Sequence, residues 1–316
     1  MNGDNLPRLS DKEILSRIAN PIGSRTLKDL ASEKKEAVII FDDMTRPTQT
    51  SRIVTHVLDA LRKGGISDDH IRFVDALGAH GANSRIDFAK KMGEQIVEGF
   101  PIYNHNPFGN LTEVGETVNG TPVKINSEVM ACDLKIGIGC IIPHSMTGFT
   151  GGGSIIVPGV ASIETICYNH CSVGGECFEN ISTTGWKPAE GNRARADIDE
   201  AARLAGLDFK VDVVVNGEGE ISSASAGDFF AQHAEGAKAA KEVYSTDFQG
   251  SYDVVVSNTY PRANQAVTGM NLAVQAVKEG GVIVLIVDSP EGQCTHYVYG
   301  KFGKKLGGTL WSSPPV

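Results

Sequence analysis

Short apolar runs alternate with amphipathic stretches along most of the chain. "EAVIIFDD" (36–43) is a continuous apolar run closed by two acids, the pattern of a strand buried on both faces. "SRIVTHVLDALRKGG" (51–65) follows with helical spacing and a Gly-Gly stop. The next strand and its exit loop are predicted over 69–81, then a helix over 85–100. Residues 121–142 read as a short strand, a short helix and another strand. A helix is predicted over 197–207 and a hairpin over 208–228, turning at "NGEGE". An amphipathic helix over 229–244 leads into the polar segment 245–251, the candidate linker. Beyond it come a strand (252–258), a helix (264–281) and a strand (282–289).

This alternation predicts an α/β fold in two domains with largely parallel sheets and an active-site cleft between them. The boundaries are set at 1–247 for a cofactor-binding, catalytic domain and 248–316 for a smaller one. In parallel sheets, ligands lie outside the carboxyl ends of the strands. That rule gathers four loops in one region, at 42–47, 78–84, 143–154 and 257–265.

Composition narrows the class. A net charge of −9 over 316 residues disfavours nucleic acid or an anionic membrane as partner. No apolar run reaches the roughly 18 residues of a membrane span. The N-terminal stretch has no apolar signal core, so a cytoplasmic location is expected, with the six cysteines as reduced thiols.

The loops carry the candidate chemistry. "FDDMTRPTQT" sends two acids out of a strand, with Arg46 three residues after Asp43. The two side chains could pair in a turn around Thr45, or could face a carboxylate or phosphate together. "LGAHGANS" presents His80 between small residues, either as a general base or as a hydrogen-bonded loop histidine. "PHSMTGFTGGGSII" places His144 at the mouth of a strand, ahead of Gly151, Gly152 and Gly153. That cluster could be an anion-binding nest or a tight turn; it lacks the Lys of a P-loop. "CYNHCSVGGEC" sets His170 among Cys167, Cys171 and Cys177, at a spacing that matches no standard zinc pairing. His56, His70, His105, His233 and His296 are assigned structural or solvated positions.

Taken together and in this order, "DDMTRPT", "ALGAH", "PHSMTGFTGGGSIIVPGV" and "ETICYNH" resemble the lactate racemase family, nickel-dependent racemases and epimerases of 2-hydroxy acids. The resemblance runs from residue 20 to the end of the chain and is strongest over 37–209. It implies an isomerase that moves a hydride from C2 of the acid to a nickel-pincer nucleotide, of the nickel pyridinium-3,5-bisthiocarboxylic acid mononucleotide type, and back. By that resemblance His80 and His144 are the two acid/base groups, His170 is the nickel ligand, and Asp43 and Arg46 adjoin cofactor and substrate. Thr45, Gly151, Gly152, Gly153, Ser154 and Gln265 fall at cofactor-binding positions. The implied partners are a small 2-hydroxy acid and, in the host, the enzymes that make the cofactor.

The departures from the family pattern matter as much. Where lactate racemase has a cofactor-tethering lysine, this chain has Ser154, so the cofactor is expected to be held without a covalent bond. Where the family has a substrate-binding lysine three residues after the glutamine, this chain has Thr268; Arg262 is the substitute expected for the carboxylate. Relatives also begin earlier and run on past "LWSSPPV", so the second domain is expected to be reduced or truncated. Two other readings fit the same residues: a binding protein for the cofactor or a hydroxy acid, without turnover, and a zinc-dependent hydrolase or lyase using the three histidines.

Overall fold

The computed structural model describes residues 1–174, 191–246, 251–260, 262–290 and 292–298. Residues 247–250 of the expected linker and Cys177, the last of the three cysteines around His170, lie outside them.

The strands, in chain order, are β1 (Ala37–Asp42), β2 (Ile71–Ala76), β3 (Ile102–Asn104), β4 (Leu111–Glu116), β5 (Pro122–Asn126), β6 (Leu134–Cys140), β7 (Pro143–His144), β8 (Gly148–Phe149), β9 (Phe209–Val215), β10 (Ile221–Gly227), β11 (Tyr252–Asn258) and β12 (Val277–Ile286). Six of them form one sheet in the order β10-β9-β6-β1-β2-β3. All neighbours in it pair parallel except β9 and β10, which form the expected antiparallel hairpin.

Every residue of β1, β6 and β9 is buried, because helices cover both faces of the sheet. Alternate side chains feed two cores. Ile39, Phe41, Phe73 and Ile136 pack with Ile14, Ile53, Val57 and Leu61 from helices Asp11–Ala19 and Ser51–Gly64. Val38, Ile40 and Val74 point the other way, onto Ile156, Val160 and the helix Arg193–Ala205.

From β1 the chain builds outward to β2 and β3, then crosses back to place β6 on the other side of β1. The strand order therefore reverses between β1 and β6, the kind of crevice in which α/β sheets hold ligands. The loops after β1, β2 and β6 all open there.

Two helices depart from their predicted bounds. The helix predicted over 85–100 is two helices, Arg85–Met92 and Glu94–Gly99, broken at Gly93, whose φ of 91° only glycine adopts readily. The helix predicted over 264–281 is confined to Val267–Ala276, and β12 begins at once after it. β11 and β12 form their own parallel pair, apart from the main sheet. Among the described residues no helix is long and apolar enough to cross a membrane.

Candidate functional site

At the end of β1 the two acids part company. Asp42 is committed to the frame: it pairs with Lys91 Nζ at 2.9 Å and accepts the Thr48 hydroxyl. Lys91 also donates to the carbonyls of Asp43 (3.0 Å) and Arg46 (2.9 Å), which pins the loop. Asp43 is left to face the crevice. Its Oδ1 accepts the Thr45 N–H (3.0 Å) and hydroxyl (2.5 Å), and its Oδ2 lies 2.5 Å from His80 Nδ1. Burial alone would raise the Asp43 carboxyl, but His80, Arg46 and the Thr45 hydroxyl hold it well below the usual range. Asp43 and Arg46 do not bridge directly; Arg46 Nη1 donates to Thr45 Oγ1 at 2.7 Å, so Thr45 joins them.

Gln265 fixes the protonation of His80. Its Oε1 receives the guanidinium groups of Arg46 (3.4 Å) and Arg262, which can only donate. The amide nitrogen must then face His80 Nε2, 2.8 Å away, and Nε2 must accept. The imidazole proton is therefore on Nδ1, donated to Asp43, and Nε2 carries the lone pair of a base.

His144 stands at the mouth of β6, in the tight β7–β8 turn. Its Nδ1 is held by the Met146 and Thr147 N–H groups at 3.4 Å and by Thr147 Oγ1 at 3.1 Å. Among the described residues its Nε2 has no hydrogen-bond partner. Burial, followed by the charges of Arg262 and Arg46, holds its pKa well below the ordinary histidine value. The ring is therefore neutral and near both arginines.

His170 lies on a π-helical turn, Tyr168–Val173, a distortion common at functional sites. Asp197 Oδ2 accepts the Asn169 amide N–H at 2.7 Å. The Asn169 oxygen is thereby turned to His170 Nδ1, 3.2 Å away. Nδ1 is the donor and Nε2 is the available ligand atom. Burial, with His80 adding to it, pushes the His170 pKa down to about 4, which keeps the ring neutral.

The glycine loop differs from the open nest the sequence suggested. Gly152 N–H donates to Asp212 Oδ2 at 2.7 Å, so that donor is not open to a phosphate. A Cβ on Gly151 would meet Ile141 at 2.6 Å, and one on Gly152 would strike Arg195 Nη2. One on Gly153 would meet Asp199 Oδ1 at 2.8 Å. These glycines allow the loop to pack against the buried Arg195–Asp199 pair, and Arg195 Nη1 donates to Gly151 O at 2.9 Å. Ser154 Oγ donates to Gly151 O at 2.9 Å. The cation missing from the loop is thus supplied from a helix 40 residues further on.

Three site residues escaped the sequence reading. His296, assigned a structural or solvated position, has its ring 5.0 Å from that of His80. Burial and His80 push its pKa to about 3. Lys91 and Asp197 act by holding loops, and neither falls in a motif. Only an unusual burial of their charges distinguishes them (6% and 0% exposed), and sequence does not display burial. Among the described residues no three His, Cys, Asp or Glu side chains converge as a metal cage, so His80, His144 and His170 do not form the zinc trio considered above.

The family model for the lactate racemase N-terminal domain matches residues 5–180. The lactate racemase of Thermoanaerobacterium thermosaccharolyticum is 33% identical over 292 residues, 90% of this chain and 67% of that protein. The lactate racemase of Lactiplantibacillus plantarum is 33% identical over 293 residues, 90% of this chain and 68% of that protein. The structure of the lactate racemase apoprotein from T. thermosaccharolyticum superimposes with a TM-score of 0.80 at 31% identity, covering 90% of this chain and 69% of the other. A Thermotoga maritima protein shares the fold at a TM-score of 0.71 and 19% identity.

Proposed function

The chain belongs to the lactate racemase family and is an isomerase, and from that premise we propose that it racemises or epimerises a 2-hydroxy acid at C2. The observation that carries this reading is the Asp43–His80–Gln265 chain, which leaves a neutral imidazole with its Nε2 lone pair beside two guanidinium groups.

In this reading His80 Nε2 takes the hydroxyl proton of the acid as C2 is oxidised to the 2-oxo level. Asp43 holds the ring and stabilises the imidazolium that forms. We assign the acid/base role for the other enantiomer to His144; its Nδ1 accepts the Met146 and Thr147 N–H groups, so in the neutral ring Nε2 carries the proton and faces the site as a donor. The proton is returned to the oxygen by whichever histidine holds it. Arg46 meets the carboxylate, and the β11–β12 unit, as the smaller domain, excludes water from the crevice.

The side chains fit a nickel-pincer nucleotide. His170 offers one oriented nitrogen, and with no protein cage around it among the described residues, a metal there would take its other donors from the cofactor. Bound beside these residues, such a group would supply the acceptor for the C2 hydride and the means of its return. We assign its remaining contacts to Thr45, Gln265 and Ser154, with Gly151, Gly152 and Gly153 shaping the loop, and hold it to be non-covalent because serine lacks the amine for a tether. The cell must then supply the cofactor-making enzymes, and we place the protein with them in the cytoplasm.

The test is intact mass on protein produced with those enzymes, first native, then denatured, followed by a chiral assay on 2-hydroxy acids. A nickel–nucleotide adduct that vanishes on denaturation, with racemising activity, is expected. Zinc in place of nickel, or a loaded protein that leaves every 2-hydroxy acid unchanged, would overturn the reading.

A further inference from the structure

Gln265 satisfies an unusual set of partners. Its carbonyl oxygen lies between two guanidinium groups, and its N–H points at the lone pair of a base. A 2-hydroxy acid presents the same pattern on one edge: a carboxylate oxygen that accepts, and a hydroxyl that donates.

The two arginines are not equivalent. Arg46 is tied to its own loop through Thr45 Oγ1 (2.7 Å) and Thr45 O (3.4 Å). Arg262 has no carboxylate within ion-pair reach among the described residues, and its Nε is buried without a partner. Other part-buried or buried arginines of the chain, Arg52, Arg72 and Arg195, each lie on a carboxylate. A part-buried guanidinium beside a second one is costly unless an anion completes it. Burial and Arg46 push the Arg262 pKa down to about 9. The local charge count is one carboxylate, Asp43, against two guanidinium groups, which leaves room for one more negative charge. Thr268 does not fill the role of the family's lysine: its hydroxyl donates to Gln265 O at 2.9 Å, at the start of the helix.

We propose that Arg262 anchors the substrate carboxylate, and that the Gln265 amide holds the substrate's place in this structure and is displaced from the two arginines when the acid binds. The proposal rests on the C2 racemase reading. It makes Arg262 the chain's replacement for the missing lysine, delivered from the turn before the helix rather than from the helix itself.

The probe is 2-hydroxy-2-methylpropanoate, a 2-hydroxy acid with no hydrogen on C2, which binds without turning over. Calorimetric titration into the cofactor-loaded protein compares it with 2-methylpropanoate, which lacks the hydroxyl. Removing a charge-assisted contact is expected to weaken binding about tenfold or more in Arg262→Gln. Arg262→Lys is expected to recover part of the loss, and Thr268→Ala to bind as the parent does. Parent-like affinity in a folded Arg262→Gln protein overturns the anchor assignment and leaves the racemase reading standing. No preference of the parent protein for the hydroxy acid over 2-methylpropanoate overturns the racemase reading itself.

Discussion

His80 shows how much one side chain's chemistry depends on its neighbours' inability to do anything else. Guanidinium groups cannot accept, so the Gln265 oxygen must face them, and the remaining hydrogen positions follow from there. Asp43→Asn breaks that chain at its other end. The amide can donate to Nδ1, which favours the tautomer with Nε2 protonated and removes the base. Turnover is expected to fall about 10²-fold or more in a chiral rate assay, with nickel content unchanged. A rate within a factor of about three of the parent would show that His80 is not oriented by Asp43. The same logic applies to His170. Asn169→Ala frees Nδ1 from its acceptor, and nickel affinity is expected to drop about tenfold in a competition titration with a chelator. His170→Ala is expected to abolish nickel binding, whereas His80→Ala and His144→Ala retain it. Retained nickel in the His170 variant would remove it as ligand.

At the scale of elements, the parallel sheet was legible because its central strands are uninterrupted apolar runs, which only a strand covered on both faces tolerates. The break at Gly93 was less legible, since the apolar spacing continues across it and only the backbone angle reveals it. The glycine loop was legible as a place of special backbone but not in purpose. Its glycines make room for Arg195, Asp199 and Asp212, side chains 40 to 60 residues away that no local pattern connects to it. Gly152→Ala would add a Cβ at a φ of 54° against Arg195 and His233. The expected cost is about 2 kcal/mol or more. Gly65→Ala also meets a positive φ (100°) but nothing within 4 Å, and should cost only about 1 kcal/mol. Denaturant titration of both variants checks the difference; equal midpoints would mean that the loop relaxes away from Arg195.

Across the whole molecule, two histidines outside the site are built in neutral. His105 donates from Nε2 to Ala161 O at 2.8 Å and takes the Asn126 amide at Nδ1. His233 Nε2 bonds Thr150 O at 2.9 Å. Burial lowers their pKa values to about 4 and about 3, from an ordinary 6.5. The unfolded chain therefore takes up protons first as pH falls. Their contribution is complete above about pH 6.5 and is lost as pH falls towards 4 for His105 and 3 for His233, at no more than about 1.4 kcal/mol per pH unit for each. Melting temperature should decline from pH 7 to pH 4, and less steeply in His105→Gln; parallel profiles would mean that His105 is not responsible. The sequence by itself determined the central strands of the parallel sheet, the helices that alternate with them, and the segments that bear Asp43, Arg46, His80, His144 and His170. It could do so because burial patterns and loop chemistry are written locally along the chain. Tertiary structure alone decided which nitrogen of each histidine is free, that Gln265 and Arg262 meet Arg46 across some 220 residues, that His296 joins His80, and that the glycines enclose an ion pair. Those facts depend on which partners distant segments bring together, and no local spacing records them.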